Sequence, residues 1–316
     1  MVRAYPGCHI SPMRIASLVP SSTEMLFALG FGDQVVAVTH ECDFPPEAAA
    51  LPHLSETVIE PGLSPAEIDA EVKRVVGQGD PLYRLKAEVL ESVRPDLIIA
   101  QDVCAVCAVS YDDVLAIAAR LPGNPVVLKQ DPTSLVEVLG NAIEVAEATG
   151  NPEAGVALKA ELDARIESVR SAVSGKERPT VLALEWLDPP FTGGHWVPEM
   201  IEIAGGRDLV GKAGLKSAEH GWDELANLDP DLTVVMPCGY YVDEAATQAD
   251  DYMDRIRSTG AERTVAVDAA ASFSRPGPRL IDGIELLAGL LHPEVFPLEE
   301  GQIQYREMQT GDRFGG

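Results

Sequence analysis

Four of the five cysteines fall just past the carboxyl ends of apolar, β-rich runs. Cys42 follows VVAVT (35–39), Cys104 and Cys107 follow LIIA (97–100), and Cys238 follows LTVVMP (232–237). Open α/β sheets bind ligands in the crevice outside the carboxyl ends of their strands, so these distant cysteines are expected to face one cleft. Cys104-Ala-Val-Cys107 has the spacing of half a zinc or iron–sulfur site. Cys42 and Cys238, one from each half of the chain, would supply the other half. Four thiolates suit structural zinc or an iron–sulfur cluster, and two close thiols suit redox chemistry. Small buried cysteines that only fill space are the plain alternative.

The elements that must position these residues follow from the hydrophobic pattern. Short apolar runs alternate with longer helical ones, which indicates βαβ units and parallel sheet. Strands are expected at 14–19, 35–39, 97–100 and 126–129, then at 181–186, 232–237 and 264–269. Helices are expected near 22–29, 65–77, 84–93 and 111–121, then near 197–204, 243–258 and 278–291. Between the halves lie two helical stretches, 134–150 and 151–175. The second has Asn151 as N-cap, Pro152 at the first helical position and Gly175 as terminator. Leu158, Leu162, Ile166, Val169 and Val173 recur on one of its faces. The division is therefore an N-terminal α/β lobe at 14–133, a helical connector at 134–175, a C-terminal α/β lobe at 176–296 and a polar, loosely held tail at 297–316. A single continuous doubly wound domain is the competing architecture.

With 316 residues and 46% hydrophobic content the chain is long enough for two lobes with real cores. Its formal net charge of −26 excludes a nucleic-acid partner, which requires clustered Lys and Arg. No dinucleotide, P-loop or nucleophile-elbow motif stands in a meaningful context. No apolar run is long enough for a membrane-embedded helix. The first residues show no secretory h-region, so a cytoplasmic protein with reduced cysteines is expected.

Several segments carry a family likeness. LVPSSTEMLFALGFGDQVVAVTHECDFPPE (18–47) resembles the opening of class III periplasmic binding proteins, particularly the vitamin B12-binding type. The likeness continues in VRPDLIIAQ (93–101), DPPFTGGHWVPEMIEIAGG (188–206), DELANLDPDLTVVM (223–236) and FSRPGPRLIDGIELL (273–287). The resemblance implies two Rossmann-like lobes joined by a backbone helix, the helical-backbone metal receptor fold. It also implies a substrate-binding protein, not an enzyme, that holds a ligand between the lobes. Members bind cobalamin, iron-siderophores, haem or metal ions for an ABC importer. The PPFTGG segment and the arginines Arg275 and Arg279 look most like the B12 branch. Two positions bear on importer docking: Glu88 matches one acidic residue of the B12-binding type, whereas Ser274 stands at the second, which would weaken a bivalent charge contact. The cleft cysteines lie outside the usual transporter pattern.

The resemblance makes a corrinoid such as cobalamin the expected ligand, with its cobalt. A flat amphipathic macrocycle needs aromatic walls and scattered donors. Phe44, Trp186, Phe191, Trp196, Tyr240, Tyr241 and Phe273 are candidate walls, with Arg275 beside them, and any one of them also suits ordinary packing. Gly193 and Gly194 would admit close backbone approach. Ser22, flanked by Ser21 and Thr23, opens the first helix as an anion site or as a simple N-cap. His40, within His40-Glu41-Cys42-Asp43, could face cobalt or another metal, and His195 is a second candidate. One or more of the thiols could contact the corrinoid directly. A zinc, iron–sulfur or redox protein using Cys42, Cys104, Cys107 and Cys238 is the alternative from another class, and haem or iron-chelate binding is a further one.

Overall fold

The computed structural model describes residues 12–101, 109–298 and 304–309. The first lobe runs β1 (Ile15–Ser17), α1 (Pro20–Ala28), β2 (Val35–Ala37), β3 (Ser55–Thr57), α2 (Pro65–Gly77), β4 (Tyr83–Leu85), α3 (Ala87–Val93), β5 (Leu97–Ala100), α4 (Tyr111–Ala118) and β6 (Val126–Lys129). Four of its strands form a parallel sheet ordered β2-β1-β5-β6, and β3 and β4 make a separate antiparallel ribbon. Side chains alternate across a strand. Ile15, Leu97 and Ile99 therefore enter one core with Met25 and Leu26, while Ala16, Ile98 and Ala100 enter the other with Leu54 and Leu90. A sheet buried on both faces explains why these strands read as unbroken apolar runs.

Two helices form the connector, α5 (Leu135–Ala148) and α6 (Pro152–Val173). Helix α5 starts with a capping box between Ser134 and Glu137. Its first turns place Leu135, Val138 and Leu139 in the core of the second lobe, and its later turns place Ala142, Val145 and Ala146 in the first. Helix α6 spans roughly 33 Å at 1.5 Å per residue and packs along α5. Gly155 permits this approach, because a Cβ there would lie 2.7 Å from Ala146 Cβ. Asn151 occupies the N-cap position but makes no side-chain cap, and Pro152 opens the helix. Gly175 takes the left-handed conformation, φ +74°.

The second lobe contains β7 (Thr180–Leu187), β8 (Pro190–Thr192), α7 (Val197–Ile203), β9 (Arg207–Asp208), β10 (Ala218–Glu219), α8 (Trp222–Leu225), β11 (Leu232–Val235), α9 (Val242–Asp251), α10 (Met253–Ser258), β12 (Arg263–Val267), α11 (Ala269–Ser272), α12 (Leu280–Leu291) and β13 (Tyr305–Met308). Its seven-stranded sheet runs β10-β8-β7-β11-β12-β13, with β9 beside β7. The central strands β7, β11 and β12 are parallel. Two sequence expectations change here. Residues 305–308 of the polar tail pair antiparallel to β12 instead of hanging loose. The helix expected over 243–258 breaks at Tyr252, whose hydroxyl donates to Asp188 Oδ2 at 2.9 Å. Burial and that bond raise the Tyr252 hydroxyl pKa to about 12. Among the described residues, no helix is long and apolar enough to cross a membrane.

Candidate functional site

The segments beyond the carboxyl ends of β2 and β12 bring Asp43 and Arg275 together at the boundary between the lobes, within a cluster of charges that crosses it. Helix α1 begins at Pro20, a residue suited to a first turn, and its Glu24 is almost wholly buried. Both Glu24 oxygens accept from Arg279 of the second lobe, Oε2 from Nε at 2.8 Å and Oε1 from Nη2 at 2.5 Å. Arg275 Nη1 reaches Glu24 Oε1 at 3.4 Å and Asp43 Oδ1 at 2.6 Å, and its Nη2 donates to the Glu41 carbonyl at 3.0 Å. Burial pushes the Glu24 carboxyl up from its ordinary value, and the hydrogen bonds and charges of Arg279 and Arg275 oppose that rise. The bidentate geometry favours the carboxylate form. Phe44 lies under this cluster, with the Arg279 guanidinium 4.2 Å from its ring centroid. Beside it, Phe27, Val35, Phe44, Leu51 and Pro278 help line an open lateral groove of about 760 Å³.

A second set of contacts joins the lobes through α2. The Trp186 indole N–H, at the carboxyl end of β7, donates to the Pro65 carbonyl at 3.3 Å. Tyr240 meets Trp186 edge-on with ring centroids 5.5 Å apart, and Phe191 pairs with Trp186 across β7 and β8. Trp186, Phe191 and Tyr240 are all half-buried, so the second lobe presents an aromatic wall at its strand ends. Burial raises the Tyr240 hydroxyl pKa. Cys238 is exposed just beyond β11.

In the first lobe His40 lies beyond the carboxyl end of β2. Its Nδ1 lies 2.8 Å from Ser55 Oγ, and its ring lies 5.5 Å from that of Tyr83. The Tyr83 hydroxyl donates to Glu41 Oε1 at 2.9 Å. Leu18, Thr39, His40, Ser55 and Val109 line a small recess there. Burial lowers the His40 pKa against the opposing pull of Glu41, which favours the neutral ring able to accept or ligate.

Several other candidates are buried or packed against protein. Cys42 is buried, its Sγ 3.1 Å from both Thr23 Oγ1 and Thr39 Oγ1, and burial raises its thiol pKa. Cys42 and exposed Cys238 thus occupy opposite environments. Among the described residues no three His, Cys, Asp or Glu side chains gather as a metal site. Cys104 and Cys107 lie outside the described residues. Ser22 is neither an N-cap nor exposed: Val19 is the cap, and Ser22 Oγ donates to Gln130 Oε1 at 2.9 Å. Trp196 and Phe273 belong to the second lobe's core, where Trp196 Nε1 donates to the Phe273 carbonyl at 2.7 Å. Gly193 and Gly194 are close to protein, not to open cleft. A Cβ at Gly193 would lie 2.9 Å from Val197 Cγ1, and one at Gly194 would strike the backbone of Ser217. His195 is left-handed, φ +49°, and its buried Nε2 has no hydrogen-bond partner among the described residues. Burial lowers its pKa.

Three features escaped the sequence reading. Glu24 and Asp43 are the N-terminal partners of the arginine pair, some 230–255 positions away. Glu185, half-buried beneath the Gly193-Gly194 turn, accepts from the Gly194 N–H at 3.0 Å and from Ser217 Oγ. Its carboxyl pKa is raised by that burial. Acidic residues in apolar strands, such as Glu185 in VLALEW, were the available signal.

Residues 15–269 match the family described as periplasmic binding protein. An uncharacterized ABC transporter substrate-binding lipoprotein of Bacillus subtilis (strain 168), YvrC, is 26% identical over 296 residues, covering 90% of this chain and 82% of that one. A cobalamin-binding protein of Halobacterium salinarum is 24% identical over 287 residues, covering 89% and 70%. Among solved structures, the apo periplasmic heme-binding protein RhuT from Roseiflexus sp. RS-1 superposes with a TM-score of 0.65 and 25% identity, covering 89% of this chain and 97% of that one. The periplasmic vitamin B12-binding protein BtuF of Vibrio cholerae superposes with a TM-score of 0.62 over the same shares at 20% identity, a likeness of fold alone.

Proposed function

The chain belongs to the periplasmic binding protein family, and from that premise we propose that it captures a corrinoid between its lobes. It would act as the substrate-binding component of an ABC-type importer, by binding and without bond-making. The observation that carries this reading is the half-buried wall of Trp186, Tyr240 and Phe191 at the strand ends of the second lobe, with the polar His40–Tyr83–Glu41 group on the first. A large flat macrocycle needs such an apolar face with polar groups at its rim. The names of the Halobacterium salinarum relative and of a Vibrio cholerae vitamin B12-binding protein, 26% identical over 199 residues, support a corrinoid.

Haem is the second reading, favoured by the likeness to RhuT and by His40 and Tyr83, side chains able to ligate iron. Titration with hydroxocobalamin and, separately, with haemin discriminates them. Corrinoid binding at micromolar concentration or below, with weak haemin binding, supports the first reading. Tight haemin binding with a ligand-field spectrum lost in His40 or Tyr83 variants supports the second.

A further inference from the structure

We infer that the buried Glu24–Arg279 pair is a second joint between the lobes, beside the helical connector, so that the cleft opens only along its α2 edge. Helix α1 packs against α5, and α12 packs against α6. Arg279 stands at the N-cap of α12. Farther along that helix, Asp282 and Glu285 both bind Arg165 of α6, at 2.6 Å through Nη2. The route α5–α1–Glu24–Arg279–α12–α6 is therefore a closed ring that crosses the boundary twice, once through covalent helix and once through the ion pair. Two bodies held at a single connector keep several rotations. Held at two points, they keep only rotation about the line joining them.

Three observations make this joint firm. The Glu24 and Arg279 side chains are only 2% and 18% exposed, so separating them leaves a carboxylate in a poorly solvated place. Arg275 adds a further N–H to the same carboxylate and ties it to Asp43. Gly277 packs against the start of α1, where a Cβ would lie 3.5 Å from Ser21 Cα and 3.4 Å from Glu24 Oε2. The α2 edge is of another kind. It is spanned by the 3.3 Å Trp186–Pro65 hydrogen bond and by Lys73–Glu219, whose side chains are 53% and 49% exposed. Exposed pairs of this sort separate at little cost. Ligand therefore passes between α2 and the aromatic wall.

The test is pulsed electron-spin distance measurement on the full chain, with spin labels on p-acetylphenylalanine so that the native cysteines remain. One label pair, at Ala70 and Asp223, spans the α2 edge; the other, at Glu47 and Pro276, spans the joint. Neither readout needs the ligand's identity. The expected result is a broad distance distribution at the α2 edge and a narrow one at the joint, with Glu24→Gln widening the joint distribution roughly twofold. Arg279→Lys, which keeps charge but loses the fork, should widen it less. Equal widths at both edges in the wild-type protein would overturn the inference even if the variants failed to fold, as would a joint distribution unchanged in Glu24→Gln.

Discussion

Trp186 of the second lobe donates its indole N–H to the carbonyl of Pro65 in the first, 3.3 Å away. The same ring meets Tyr240 edge-on, so one side chain serves both as wall and as clasp. Trp186→Ala should weaken corrinoid binding by roughly tenfold or more, as loss of a central aromatic anchor does. Trp186→Phe keeps an aromatic face but loses the clasp, and should speed ligand association and dissociation together. Stopped-flow absorbance separates the two effects.

Trp196 carries a different expectation. It is buried in the second lobe's core with its N–H on Phe273, so Trp196→Ala should cost about 3–5 kcal/mol of stability. The folded fraction should keep its ligand affinity. Denaturant unfolding monitors the first quantity and equilibrium titration the second; a large affinity loss at unchanged stability would return Trp196 to the cleft.

Glu185 gives a pH-dependent outcome. Its folded pKa is raised by burial, so the folded state favours the protonated acid. That stability is fully present below the unfolded carboxyl value, ordinarily near 4.5, and is lost as pH rises through the folded value. Glu185→Gln keeps the contacts to Gly194 and Ser217 without a charge. It should raise the Tm at pH 8 and leave it nearly unchanged at pH 4, a difference that thermal melts across the range resolve.

Thiol reactivity tests the placement of the cysteines. Cys238 is exposed, whereas Cys42 is buried against two threonine hydroxyls with a raised pKa. Thiolate is the reactive form, so brief native alkylation mapped by mass spectrometry should modify Cys238 and spare Cys42 until the protein unfolds. Comparable rates would place Cys42 back on the cleft surface.

The fold was legible where burial on both faces writes itself into sequence. LIIA and LTVV read as inner strands and are β5 and β11, and 65–77 became α2 over the same residues. The two- and three-residue strands β8, β9 and β10 left no pattern, because their pairing is set by the turns around them. The site was less legible for two reasons. Cys42 follows its strand, yet a turn in which its N–H bonds the Thr39 carbonyl at 3.2 Å folds its thiol back under α1. Arg275 and Arg279 were visible as a pair, but a buried carboxylate 255 positions earlier looks in sequence like any glutamate in a first helix.

Calorimetric titration of hydroxocobalamin into the purified protein, beside its Trp186→Ala variant, decides whether the lobes capture a corrinoid against the aromatic wall. Such capture requires one corrinoid per chain, bound at micromolar concentration or tighter, and an affinity that falls in the variant. Absence of binding at tens of micromolar, or identical affinity in the two proteins, would contradict it.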